Sequence, residues 1–310
     1  MSERDEIKKA HLLISQGKEG EAEKILWPIS ASKEPMNKID AILALLVVLD
    51  HITENDKLLE VTNAGIEATE KINRKDVLAF LMGKKCMFLL TNLSTMIHRE
   101  KNLMLSANVF KWIEFSLERD KKEYDLIKEA RKGVEKDVEE LASKVIGMAE
   151  AATDHYFRGA IYSSIGDYYS SKYLANQLDF MKGGKTRSRI ANLFFVRRWN
   201  LDKLLYDKGS RKKLKESWKR CVLYFEKSIA EYKAGGKTSE EAHTIYNLAV
   251  KYKITYSFGK AKKLLSKAKI LAEAQKEERL LKRIALLEKE VADKNKHMRN
   301  YVEEMGLDMP

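Results

Sequence analysis

The groups in this 310-residue chain that could do chemistry are six histidines, two cysteines and 46 acidic residues. Glu240 and His243 stand three apart, the spacing with which helical di-iron sites turn a carboxylate and an imidazole toward one metal. Such a site needs two Glu-x-x-His motifs and two further glutamates, and here the motif occurs once. His11, His51, His98, His155, His243 and His297 include no His-Glu-x-x-His pair, and no Cys/His pair has zinc spacing. Asp154 and His155 are adjacent, so on a helix they point about 100° apart and do not form an obvious dyad. His155 instead continues an apolar stripe through Val138, Leu141, Val145, Met148 and Ala152, and reads as a core histidine. No Gly-x-Ser-x-Gly elbow is present. The expectation is a chain with no catalytic residue, no metal site and no cofactor: not an enzyme.

The tetrapeptide Gly-Gly-Lys-Thr occurs twice, at residues 183–186 and 235–238. A phosphate-binding loop needs another glycine five residues before the glycine of Gly-Lys-Thr, following a strand. Asp179 and Glu231 occupy those places. The pattern fits a helix boundary better: glycine closes one helix in the left-handed conformation and threonine caps the next. Thr238 with Glu241 has the spacing of a capping box.

The elements that would position any site are helices. Lys, Glu, Leu and Ala dominate, and the three prolines are Pro28, Pro35 and Pro310, so nothing between residues 35 and 310 breaks a helix by ring clash. Hydrophobic residues make up 44% and charged residues 34%, a globular balance. Two cysteines do not make a disulfide framework and fit a reducing compartment. The N-terminus is too charged for a signal peptide, and the longest apolar run, residues 41–49, is short for a bilayer. A cytoplasmic protein with no membrane partner is expected.

The formal net charge is +12. Residues 182–233 supply most of it, with basic residues outnumbering acidic ones by about three to one. There Leu214, Trp218, Cys221, Val222, Phe225, Ile229 and Tyr232 fall on one helical face, so these aromatics are expected in the core. Lys212, Lys213, Lys215, Lys219 and Arg220 lie around the other side, an outward face that could meet phosphates. Arg197 falls among Ile190, Phe194, Leu201 and Leu204 and needs an acidic partner or a ligand anion, which Arg187 and Arg198 could share.

Helical phase divides the rest. Residues 39–52 predict a helix buried on most sides, and residues 75–98 a long apolar one. The charged run 120–133 reads as a solvated helix face or a connection between an N-terminal helical array, 1–120, and a C-terminal one, 134–310. From Gln275 a seam of Leu280, Ile284, Leu287, Val291, Met298, Tyr301 and Met305 predicts one long helix, either a cap over the array or a dimerising coiled coil.

Residues 238–273 read as two helices, with Ile245, Leu248, Ala249 and Tyr252 on one face of the first and Ala261, Leu265 and Ala268 on one face of the second. This bulky–Leu–Ala–Tyr, then Ala–Leu–Ala pattern resembles the tetratricopeptide repeat (TPR), whose unit spans about 34 residues. It departs from the family in Ile245 for tryptophan and Glu273 near the terminal proline. Weaker likenesses lie near residues 13–29 and from Asp154, where Gly159, Tyr162 and Gly166 take the small, aromatic and turn positions. The resemblance implies an all-α, TPR-like solenoid of stacked antiparallel hairpins that binds a protein or peptide along a groove. Carried to this chain, it implies groove positions at Tyr246, Asn247, Lys253, Tyr156 and Ser163. With +12 overall, an acidic partner is expected, and RNA binding by the basic helices is the alternative. A monomer, or a dimer through the C-terminal helix, fits either.

Overall fold

A computed structural model describes residues 2–52, 55–72, 74–109, 114–150, 152–181 and 208–304. Among them are eleven α-helices and no strand, so the fold is all-α. They are α1 (Glu3–Ser15), α2 (Glu19–Ser30), α3 (Pro35–Ile52), α4 (Asn55–Ile72), α5 (Lys75–Val109), α6 (Glu114–Ala149), α7 (His155–Met181), α8 (Lys208–Ala234), α9 (Thr238–Ile254), α10 (Phe258–Ala274) and α11 (Glu278–Glu304). The chain divides into two compact units, one of Met1–Leu93 with Gly133–Ile165 and one of Ser94–Lys132 with Gly166–Pro310.

In the first unit α1, α2, α3 and α4 pack in succession as antiparallel hairpins, and α1 also meets α3. Ser2 starts α1 with a capping box: its hydroxyl accepts from the Asp5 N–H, and the Asp5 side chain reaches back to the Ser2 N–H. Pro35 opens α3 at the position where a missing N–H costs nothing. Pro28 lies within the last turn of α2 and not in a loop. As expected from its composition, α3 is buried almost all round, with Ile42, Leu45 and Leu49 fully out of contact with water. Each such side chain contributes about 1.5–3 kcal/mol by burial.

In the second unit α8, α9, α10 and α11 pack in chain order, and α9 also touches α11. The face predicted for the α9/α10 hairpin is the one buried: Ile245, Leu248, Ala249, Tyr252, Ala261, Leu265 and Ala268. Leu280, Ile284, Leu287 and Val291 of α11 are buried too, so this part of the seam is used inside the chain. The turns share one geometry. Gly236, Tyr256 and Lys276 take φ of 65°, 55° and 57°. In each case the next N–H donates to the carbonyl five residues back: Lys237 to Tyr232 at 2.8 Å, Ser257 to Tyr252 and Glu277 to Ala272 at 2.9 Å. This is the Schellman closure. The left-handed residues at 236, 256 and 276 recur every twenty positions, which makes a two-helix step of forty residues.

Several local expectations change. Thr238 is the first residue of α9 and Lys237 its N-cap, with no side-chain cap. The turn closing on Gly236 already places the chain, and the predicted capping box does not form. Gly166 is not a turn but lies within α7, where its missing Cβ makes room for the Phe225 ring, 2.8 Å from where that carbon would be. The 138–155 stripe is cut by the break between α6 and α7, which leaves His155 exposed at the start of α7. The apolar helix expected over 75–98 runs on to Val109. The charged run 120–133 is helical, as the first of its two readings expects. It lies within α6 and carries Arg131, whose Nε sits 2.6 Å from Glu100 Oε2 with both side chains fully buried.

Candidate functional site

A half-open groove of about 510 Å³ lies in the first unit. Its walls come from α1 (Ile7, His11, Ile14), α3 (Asp40, Leu43, Ala44, Leu46, Val47), α5 (Phe80, Lys84) and α7 (Tyr156, Phe157). The cap of α7 sets the two rings of that helix: Asp154 Oδ1 accepts from the Tyr156 N–H at 2.8 Å and from the Phe157 N–H at 3.1 Å. Phe80 then meets both, with centroids 6.0 Å from Tyr156 and 5.1 Å from Phe157. The Lys84 ammonium stands over Phe80 at 5.9 Å. Val47 remains 42% exposed although α3 is otherwise a core helix. The result is a concave apolar surface with three rings, one lysine, one histidine and one aspartate. That is the composition of a site that buries an apolar face and orients it by a few charges.

Of the residues expected to line a partner groove, Tyr156 is in this one. Ser163, half-buried on α7, is not among its walls. Tyr246, Asn247 and Lys253 lie on α9 in the second unit, where α11 occupies two of them. The Arg283 guanidinium stacks over the buried Tyr246 ring at 4.8 Å. Lys253 Nζ reaches Glu290 at 2.5 Å. His243 Nε2 adds a contact to Glu277 at 2.9 Å. Asn247 stays half-buried between them. Phe80, Phe157 and Val47 were not foreseen, because the groove draws on four helices distant in sequence.

Arg187, Arg197 and Arg198 lie outside the described residues. Lys212, Lys213, Lys215 and Lys219 are exposed on α8, opposite its buried Leu214, Cys221, Phe225 and Tyr232, as helical phase predicts. Arg220 is exposed but fastened, with Nε 2.9 Å from Glu216 and a terminal nitrogen 2.9 Å from the Tyr169 hydroxyl. The Tyr169 hydroxyl, and after it Glu216, hold its pKa above the usual arginine value. Sequence reasoning missed a second basic face, on α10: Lys262, Lys263, Lys267 and Lys269 are exposed, and no acidic residue occurs over 258–272. The absence of acids over fifteen residues was the available signal.

Cys221, Lys251 and Asp167 form a polar cluster inside the second unit. Burial works against the Lys251 ammonium, but Asp167 at 2.6 Å outweighs it and holds the lysine above its ordinary pKa. Burial pushes the Cys221 thiol up to about 12, so little thiolate is present at neutral pH. Glu240 and His243 acquire no second carboxylate–histidine pair, and among the described residues no group of three or more His, Cys, Asp or Glu is placed to hold a metal.

Averaged over a window, α5 is more apolar than any single run suggests. Lys75–Glu100 is long enough to cross a bilayer and contains a stretch of mean hydropathy 1.3, half of which is buried inside the protein. Compared with known proteins, the chain matches no family model and no curated sequence.

Proposed function

We propose that this chain is a non-enzymatic, cytoplasmic protein-interaction scaffold of TPR-like hairpins, and that it receives an amphipathic segment of a partner in the groove of its first unit. The observation that carries this reading is the groove itself: apolar, half-open and walled by Phe80, Tyr156 and Phe157. Lys84 offers a counter-charge to an acidic residue on the partner, while His11 and Asp40 add hydrogen-bonding groups to the wall. The partner's expected chemistry is therefore a helix with apolar residues at i, i+3/i+4 and i+7 and an acidic residue beside them.

The test uses Val47→Glu, which sets a charge on the groove at a side chain already open to water. Circular dichroism and the thermal midpoint check that the fold is kept. A protein captured by the wild type and by Asn247→Ala, but lost on Val47→Glu and on Tyr156→Ala, supports the groove. Loss on Asn247→Ala with retention by Val47→Glu moves the site to α9. Capture indifferent to all three variants defeats the scaffold reading.

A further inference from the structure

The second unit carries a surface that the scaffold reading does not use. Helices α8 and α10 both pack on α9 and both run opposite to it, so they are parallel to one another and begin at the same end of the stack. Each turns a lysine row outward, Lys212, Lys213, Lys215 and Lys219 on α8 and Lys262, Lys263, Lys267 and Lys269 on α10. Among the described residues none of these eight forms an ion pair.

Folding stability does not account for the rows. Lys215 with Lys219 and Lys263 with Lys267 place like charges one turn apart, which weakens a helix. Neither α8 nor α10 has an acid in its first turn to answer the helix dipole, whereas α9 begins with Glu240 and Glu241 and α11 with Glu278.

We infer that this lysine-bearing layer of the second unit binds the phosphate backbone of a double-stranded nucleic acid. Eight unpaired ammonium groups spread over two helices suit a repeating anion better than a single carboxylate. Lysine supplies point charges without base readout, so binding is indifferent to sequence. A duplex is favoured over a single strand because the described rings of α8 and α10 are engaged inside the unit: Trp218 packs on Tyr173 and Tyr252, half-buried Tyr224 stacks on Tyr169, and Phe225, Tyr232 and Phe258 are buried, so these two helices offer bases no free ring to stack on. A bilayer is disfavoured because the exposed apolar residues on these two helices, Leu223 and Ile270, are isolated and bury too little area to anchor a membrane. The inference is independent of the groove in the first unit.

The experiment is fluorescence anisotropy of the full chain with labelled RNA and DNA duplexes of random sequence, at salt concentrations from about 50 to 200 mM. The wild type is expected to bind with an affinity that falls linearly on log–log axes. The α10 variant, with Lys262, Lys263, Lys267 and Lys269 all changed to Gln, should lower the salt slope by about 3–4, and the matching α8 variant should do the same. Both substitute exposed side chains, and unchanged circular dichroism confirms their fold. Lys144→Gln, an exposed lysine of the first unit outside this surface, should bind nearly as the wild type does. No duplex binding by the wild type at low salt overturns the inference, as does an unchanged slope in both lysine variants. Equal binding to polyglutamate, or retention only on anionic lipid vesicles, overturns it in favour of a different partner.

Discussion

The two units treat the corresponding face of a helical stack in opposite ways. In the first, α1 and α3 leave a trough beside Phe80, Tyr156 and Phe157, with Val47 exposed at 42%. In the second, α9 and α11 close on one another through Tyr246–Arg283 and Lys253–Glu290, and His243 meets Glu277 in the turn before α11. The first unit's core is almost wholly aliphatic and aromatic, whereas the second buries Arg131 against Glu100 and sets Lys251 on Asp167. The contrast teaches that a repeat-like sequence is not by itself a binding face. The best repeat spends its inner residues on its own neighbour, and the open groove lies where the repeat pattern is weakest.

The largest effect that would sharpen this contrast is expected at Arg131. Arg131→Met strands a buried carboxylate and should cost about 3–5 kcal/mol in urea unfolding, while Arg131→Met with Glu100→Leu should recover most of it. If the double variant is as weak as the single one, the pair is not what holds this part of the second unit. In the first unit Leu45→Ala should cost about 2–5 kcal/mol with little dependence on salt, since only packing is lost. Gly166→Ala forces a Cβ to within 2.8 Å of the Phe225 ring and should cost about 1–3 kcal/mol, whereas Gly133→Ala, with open space around it, should be neutral or stabilising. Lys253→Ala removes a partly exposed pair and should cost less than about 1 kcal/mol, an effect that fades in high salt. Least of all, Cys221 should stay unmodified by a thiol reagent at pH 8 in the folded protein and react only on unfolding, because burial keeps its pKa near 12.

Helical phase and the scarcity of proline made the fold class legible before any coordinates. The same phase correctly turned Leu214, Cys221 and Phe225 inward and the lysines of α8 outward. What failed were positions at which a distant partner decides. Gly166 looked like a turn because the ring that needs its bare Cα, Phe225, lies 59 residues further on. Thr238 looked like a cap because the Tyr232 carbonyl that closes on Lys237 cannot be weighed from the sequence. Tyr156 was named as a partner residue, but Phe80 and Val47 come from helices with no repeat signal. Arg131 is hidden in a charged run in which Lys122, Asp125, Glu129 and Lys132 are exposed.

The recurrence of one left-handed turn at 236, 256 and 276 gives this part of the chain a unit of length. An insertion of forty residues at such a turn adds a complete hairpin and returns the next helix to the same side with the same face inward. An insertion of twenty delivers it to the opposite layer, and one of two or three rotates every downstream buried position toward water. Growth or loss of this stack over generations is therefore expected in whole hairpins, and natural length variants that break the step should appear only in the connections.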